Sequence, residues 1–296
     1  MSFSNETSTG ERRPKWRLQW AIGIYQGTSP LTIMPIGGQD RPVLTAKDIT
    51  DVHAGAVADP FFLRQGALWY LFFEVLNIET GLGEIACATS HDGLTWCYGG
   101  VVLREPFHLS YPQVFAWGGD IYMIPETRQD ESVRLYRAED FPNRWRCLGR
   151  ILHGRFADAT LLRHQDHWWL FAQRGLDELR LFMSMELHGT WCEHPASPLW
   201  AGNRRRTRPG GRILDYNGRL LRFAQDGLPS YGSRLRAFEI DHLNQTAYAE
   251  HEVPESPILK ATRKGWNAAA MHHIDALPLD DGQWLAAVDG ASLRLI

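Results

Sequence analysis

The chain has 296 residues, 44% of them hydrophobic, with twelve tryptophans and a formal net charge of −3. That apolar content excludes a disordered body, and the charge gives no electrostatic case for nucleic acid or for an anionic membrane surface. No stretch approaches the roughly 20 apolar residues that span a bilayer, and the N-terminus lacks the apolar segment of a secretory signal, so a cytoplasmic location is expected.

Residues 1–14 are polar and read as a disordered tail, leaving 15–296 as one domain. Trp16 to Tyr25 (WRLQWAIGIY) alternates like a strand but has no sequential partner. Asp59 to Glu74 (DPFFLRQGALWYLFFE) then reads as two apolar strands joined by a Gln-Gly turn. In an antiparallel hairpin the first residue of one strand lies beside the last of the other, which brings Asp59 and Glu74 to the same end. The same sixteen-residue frame starts again at Tyr111 (YPQVFAWGGDIYMIPE), Asp158 (DATLLRHQDHWWLFAQ), Gly210 (GGRILDYNGRLLRFAQ) and Ile274 (IDALPLDDGQWLAAVD).

Each frame is followed by a third strand, a turn and an outer strand. After the first come Glu84–Thr89, the turn Ser90-His-Asp-Gly-Leu-Thr-Trp96, and an outer strand near Tyr98–Leu103. Asp and Gly suit such a turn, the one bonding its own backbone and the other accepting positive φ. Later units give Ser132–Arg137 with Trp145–Leu152, Leu179–Met185 with Trp191–Trp200, and Arg234–Ile240 with Ala247–Val253. Four strands at a period of about 50 residues is the arithmetic of a propeller blade. The predicted fold is all-β: a five-bladed β-propeller of four-stranded blades. The fifth blade has only a possible third strand at Ser292–Ile296, and Trp16–Tyr25 is expected to supply its outer strand and close the ring. Cys97, Cys147 and Cys192 each follow a Trp at a matching position, which reads as a small buried residue on a repeated strand. With no CxxC pair, no metal site is expected and the thiols read as reduced.

In a propeller the innermost strand of each blade lines the central channel, so its first residue and the last residue of the next strand face one funnel. Those positions give Asp59 with Glu74, Tyr111 with Glu126, Asp158 with Gln173-Arg174, Gly210 with Gln225-Asp226, and His272-His273-Asp275 with Asp289. A structural repeat calls for interchangeable residues there; charged and varied ones point to a site grafted on a scaffold. Paired carboxylates suit glycoside chemistry, one protonating the leaving oxygen and the other activating water. Arg128 and Arg174 could hold a carboxylate ionised or bind an anionic substrate, and Tyr111, Trp168 or Trp169 could stack on a sugar. Bland readings stand beside these. Asp59 before Pro60 could cap a strand opening, Glu74 and Glu126 could be held by arginines, His272-His273 could be buried against backbone, and the tryptophans could be blade packing. Arg204-Arg205-Arg206 with Arg208 reads as a solvated loop or an anion contact.

Two resemblances follow from these residues. Ala58-Asp59-Pro60-Phe61 and Ala157-Asp158-Ala159-Thr160 look like the blade openings of five-bladed propeller glycosidases of the arabinanase, xylosidase and fructosidase group. That resemblance implies the general base at Asp59 and a pKa-tuning, sugar-holding role at Asp158. Those enzymes carry their general acid in an E-G-P-like context where this chain has Arg208-Pro209-Gly210-Gly211. The acid role then passes to Glu126 or Glu74, or hydrolysis is absent. From about Trp16 to Asp289 the chain more closely resembles the N-terminal propeller region of glucosamine inositolphosphorylceramide transferases. The matching stretches are ADPFF (58–62), SYPQVF (110–115), IPET (124–127), FADATLL (156–162), RFAQDG (222–227), YGSRLRAFEI (231–240) and MHHIDA (271–276). In that family a separate glycosyltransferase domain carries the transfer, so the resemblance implies a carbohydrate context.

The expected function is a carbohydrate-active propeller that binds a glycan or glycoconjugate in its funnel, as an inverting glycoside hydrolase or, alternatively, as a non-catalytic scaffold serving a partner glycosyltransferase. Asp59, Glu126 and Asp158 are the catalytic candidates. Glu74, Tyr111, Arg128, Arg174, Asp226, His273 and Asp289 are the binding candidates, and no cofactor is expected.

Overall fold

A computed structural model describes residues 16–38 and 40–295, so the predicted 1–14 tail lies outside the described residues. The chain forms five antiparallel sheets, the blades of a five-bladed β-propeller. The first blade runs outward through Ala54–Gln65, Leu68–Asn77, Gly83–Ser90 and Cys97–Leu103. The second uses Ser110–Trp117, Asp120–Glu126, Ser132–Asp140 and Arg144–His153. The third uses Phe156–His164, His167–Arg174, Glu178–Ser184 and the short outer pair Cys192–Glu193. In the fourth, Arg208–Pro209 and Leu214–Tyr216 share the inner position before Arg219–Asp226, Arg234–Leu243 and Tyr248–Glu252.

The fifth blade departs from the predicted closure. Trp284–Leu295 is one unbroken strand, so Ser292–Leu295 continues the second strand and forms no third. The N-terminal strand Trp16–Gly27 pairs with it along its whole length, from Trp16 opposite Leu295 to Gly27 opposite Trp284. It is therefore the third strand, and Met34–Pro35 is the outer one. Asp289-Gly290, a turn-type dipeptide, stays extended within that strand, each residue paired across to the N-terminal strand.

The core is a ring of five apolar sectors, one between each pair of neighbouring blades. Strand alternation explains this, because successive residues point to opposite faces of a blade. On Leu68–Asn77, Leu71, Phe73 and Val75 pack toward the fifth blade, while Phe72 packs toward the second. Trp168 and Trp169 likewise fill the sectors on either side of the third blade, so both are packing residues. At about 1.5–3 kcal/mol per buried large apolar side chain, these sectors dominate the stabilisation. Cys97, Cys147 and Cys192 occupy equivalent outer strands as expected, but there they are exposed; only Cys87 is buried, and all four are free. An outermost strand has one face without a covering blade, which is why the repeated position does not imply burial.

The inner strands open in an unusual way. Asp59, Tyr111 and Asp158, the first residues of three frames, all have positive φ, at 53°, 48° and 50°. Each lies in a bulge that breaks the register with the second strand. A non-glycine residue held there costs about 1–3 kcal/mol and turns its N–H out of the ladder. The Asp59 N–H donates to Asp289 Oδ2 at 3.1 Å, and the Asp158 N–H to Glu126 Oε2 at 3.0 Å. The strained opening of one blade is thus latched to a carboxylate on the second strand of the blade before it.

Candidate functional site

Below these openings the channel is closed. Phe61, Tyr111 and His273 meet edge to face at 4.7–5.2 Å between ring centres. The Tyr111 hydroxyl accepts from the Gly211 N–H at 2.7 Å and bonds Thr160 Oγ1 at 2.8 Å. Arg212 spans the channel, pairing with Asp275 at 2.9 and 3.1 Å and donating to the carbonyls of Phe62 and Val114. Tyr111 and His273 are both fully buried in this floor. Tyr111 and His273, both read as binding candidates, thus sit in the floor and not on the pocket wall.

Above the floor lies a pocket of about 320 Å³, walled by Trp20, Asp59, Glu74, His108, Glu126, Arg208, Tyr231 and His272. It draws on the fifth, first, second and fourth blades. Asp158 lies 1% exposed beneath Arg208, which bonds it at 2.6 Å through Nε; Gln225 donates to the same carboxylate, also at 2.6 Å. Arg208 also reaches Glu126 at 3.8 Å and covers the Tyr231 ring at 5.2 Å. Opposite, His272 stacks on Trp20 at 4.1 Å and bonds Asp289 at 2.8 Å. Asp289 also accepts the N–H groups of Asp59, His272 and His273 and is fully buried, so it supports the pocket without facing it.

Two of the carboxylates are held below the usual carboxylate range and three are pushed above it. Burial alone would raise Asp158 and Asp289, but the Arg208 and His272 charges and hydrogen bonds outweigh it and hold both below the usual carboxylate range. The same pairing raises His272 above an ordinary histidine despite its burial. Asp59 is pushed up to about 7, chiefly by burial and then by the negative charges of Asp158 and Asp289, against the opposing pull of His272. Glu126 rises to about 8 by burial and the charge of Asp158, and Glu74 rises well above its ordinary value by burial and the carboxylates around it. The Gly83 N–H donates to His108 Nδ1 at 2.8 Å, which leaves Nε2–H of the neutral ring facing Glu74 at 3.3 Å. Near neutral pH the pocket thus presents Glu74 and Glu126 protonated and Asp59 close to its midpoint, between two buried ion pairs. Asp59, His272 and Asp289 also bring one potential metal-ligand atom each to within 4.8 Å of one another. His272 Nδ1 and Asp289 already bond each other, so a cation there would displace that bond.

Of the residues read from the sequence, Asp59, Glu74 and Glu126 line this pocket and Asp158 lies directly under it. Asp226 is fully buried against Arg236 at 2.9 Å and is a structural residue of the fourth blade. Arg128 and Arg174 line a separate cleft. Trp20, His108 and Tyr231 were not singled out for this pocket; His272 was placed at the funnel beside His273, and Arg208 was read as a solvated loop or anion contact. His272 stands one place before the chosen His273, just ahead of the strand Ile274–Pro278, and the two rings part, one stacking on Trp20 and the other meeting Phe61. Arg208 occupies the opening at which the acid of the resembled glycosidases is absent.

The family model described as glucosamine inositolphosphorylceramide transferase 1, N-terminal, matches residues 15–291. The chain belongs to this family. A transferase 1 relative from Oryza sativa subsp. japonica is 36% identical over 297 residues, covering 92% of this chain and 40% of its own length. The chain therefore spans about two fifths of the curated relative it matches. Among solved structures, a β-1,2-mannobiose phosphorylase from Listeria innocua has a TM-score of 0.64 at 14% identity, covering 90% of this chain and 96% of its own. The catalytic domain of the Coprinopsis cinerea GH62 α-L-arabinofuranosidase has a TM-score of 0.60 at 11% identity, covering 93% and 97%. At such identities the likeness is one of fold: this member of the transferase N-terminal family shares the glycosidase propeller.

Proposed function

We propose that the funnel pocket binds the sugar portion of a glycan or glycoconjugate and carries acid–base chemistry on its glycosidic bond. The observation that carries this reading is the pair Glu126 and Asp59, held near 8 and 7 by burial and facing one pocket. The Trp20 and Tyr231 rings offer apolar walls to a sugar face, and neutral carboxyls offer donors to its hydroxyls. At about 320 Å³ the pocket lies at the small end of ligand sites, a size suited to a single sugar unit.

In the catalytic form of this reading, Glu126 gives its proton to the departing glycosidic oxygen as the carbon–oxygen bond breaks. Asp59 takes a proton from the water that adds to the anomeric carbon, so the two carboxyls exchange protonation states. Asp158, fixed by Arg208, keeps a negative charge beside Glu126 and so keeps its proton in place. A second reading, a binding propeller without turnover that serves a partner glycosyltransferase, is favoured by Arg208 at the position of the expected acid.

Calorimetry and product analysis with a panel of glycosides and oligosaccharides separate the two. Asp59→Asn and Glu126→Gln are expected to retain sugar binding and lose turnover by about 10²–10⁴-fold. Sugar binding by the wild type with no turnover of any glycoside selects the second reading. No sugar binding at all overturns both.

A further inference from the structure

A larger cleft of about 970 Å³ lies between the second and third blades, beside the funnel. Four arginines line it, and they differ in what they touch. Arg180 is tied to Glu178 at 2.7 Å and Glu193 at 2.8 Å, and Arg155 is tied to Glu131 at 3.0 Å. Arg128 and Arg174 make no ion pair among the described residues, although Asp177 faces the same cleft and the Arg174 charge helps keep Glu193 ionised. Elsewhere on the second blade a single carboxylate serves two arginines, Asp130 bonding Arg134 and Arg150, so free guanidiniums are not the local habit. Two guanidiniums without an ion pair in one concave cleft add positive potential there, and their planar forks match phosphate or carboxylate oxygens.

Their placement relates them to the funnel. Arg128 follows the pocket residue Glu126 by two positions, a reach of at most about 7 Å along the backbone. Arg174 stands opposite Phe156, two positions before Asp158. The segment Glu126-Thr127-Arg128 runs from the funnel pocket to the cleft, a span short enough for one ligand to cover.

We propose that this cleft is an oxyanion subsite, taking a phosphate or carboxylate group carried on the same glycoconjugate whose sugar sits in the funnel. This deepens the proposed function and rests on it, and it defines the substrate class as an anionic glycan. Calorimetry at low salt compares inorganic phosphate, parent hexoses, hexose 6-phosphates and glucuronate, on the wild type and on Arg128→Gln/Arg174→Gln. Neither arginine side chain makes a hydrogen bond or ion pair among the described residues, so the double variant is expected to melt with the wild type. In the wild type a charged sugar is expected to bind about tenfold tighter than its parent, the advantage shrinking as salt screens it. In the double variant that ratio falls to about one. Preference for the phosphate or for the uronate identifies the source of the oxyanion. Equal binding of charged and parent sugars by the wild type, or a ratio that survives the double substitution, overturns the proposal. If parent hexoses do not bind while inorganic phosphate does and needs the two arginines, the funnel reading falls and the oxyanion cleft stands.

Discussion

Asp59 and Glu126 keep their protons for related but separable reasons, and the separation is measurable. Both are desolvated, yet Glu126 also feels Asp158, which Arg208 holds ionised. If Asp59 must be charged and Glu126 neutral, the kcat/KM profile of any substrate is bell-shaped, with an acid limb near pH 7 and a basic limb near pH 8 belonging to the pair. Asp158→Asn removes a repulsion from Glu126 and leaves Arg208 free for it. Both changes favour the Glu126 carboxylate, so the basic limb moves to lower pH; a fixed or rising limb refutes the electrostatic assignment. The same shifts govern stability. A carboxyl whose folded pKa is raised binds more protons folded than unfolded, so it subtracts stability as pH climbs from about 4 to its folded value. Asp59→Asn and Glu126→Gln are therefore expected to melt several degrees higher than the wild type at pH 8.5, with the gain gone at pH 4. Calorimetric scans at the two pH values decide it.

At the scale of the element, the N-terminal strand has two tasks. Trp16–Gly27 completes the fifth blade, and its Trp20 forms a wall of the pocket on which His272 stacks. Deleting residues 1–27 exposes the full edge of Trp284–Leu295 together with the apolar sectors beside it. The expected result is loss of the cooperative melt and loss of sugar binding, read by near-ultraviolet circular dichroism and calorimetry; a truncation that melts like the full chain refutes the closure. Trp20→Ala, which keeps the strand, should weaken sugar binding while the melt survives. What the sequence disclosed follows the same division. The hairpin frame was legible because alternation and turn residues are local, and it led to Asp59, Glu74, Glu126 and Asp158. Trp20 and Tyr231 were hidden because one lies on a strand that joins its blade out of chain order and the other in a loop outside the sixteen-residue frame. The fourth blade hid Arg208 for another reason. A Cβ at Gly210 would lie 2.4 Å from Leu235 Cδ1, and one at Gly211 1.8 Å from the Ile274 carbonyl oxygen. Two glycines let this inner strand break and cross against the fifth blade, so the frame's first residue is no longer the one that faces the pocket.

Across the whole molecule the ring is held by side chains that reach from blade to blade, and Arg212 is the furthest-reaching of those described. From the fourth blade it pairs with Asp275 of the fifth and bonds carbonyls of the first and second. Asp275 is fully desolvated and also accepts the Phe62 N–H at 2.7 Å. Such a pair is not strongly stabilising against an apolar replacement, but breaking it from one side leaves a buried charge at a cost of about 3–5 kcal/mol. Arg212→Leu is therefore expected to lower the melting temperature by about 10 °C, whereas breaking the exposed pair Arg155–Glu131 should cost under about 1 kcal/mol. Asp275→Asn keeps an acceptor for Phe62 but strands the guanidinium, and should also destabilise. The double variant Arg212→Leu/Asp275→Asn buries no charge at either position and keeps the Phe62 bond, so it should be more stable than Arg212→Leu alone. A double-mutant cycle should then give a coupling of about 1–3 kcal/mol. If the two effects simply add, Arg212 is a channel filler whose charge does not matter, and the floor of the pocket depends on the Phe61, Tyr111 and His273 rings alone.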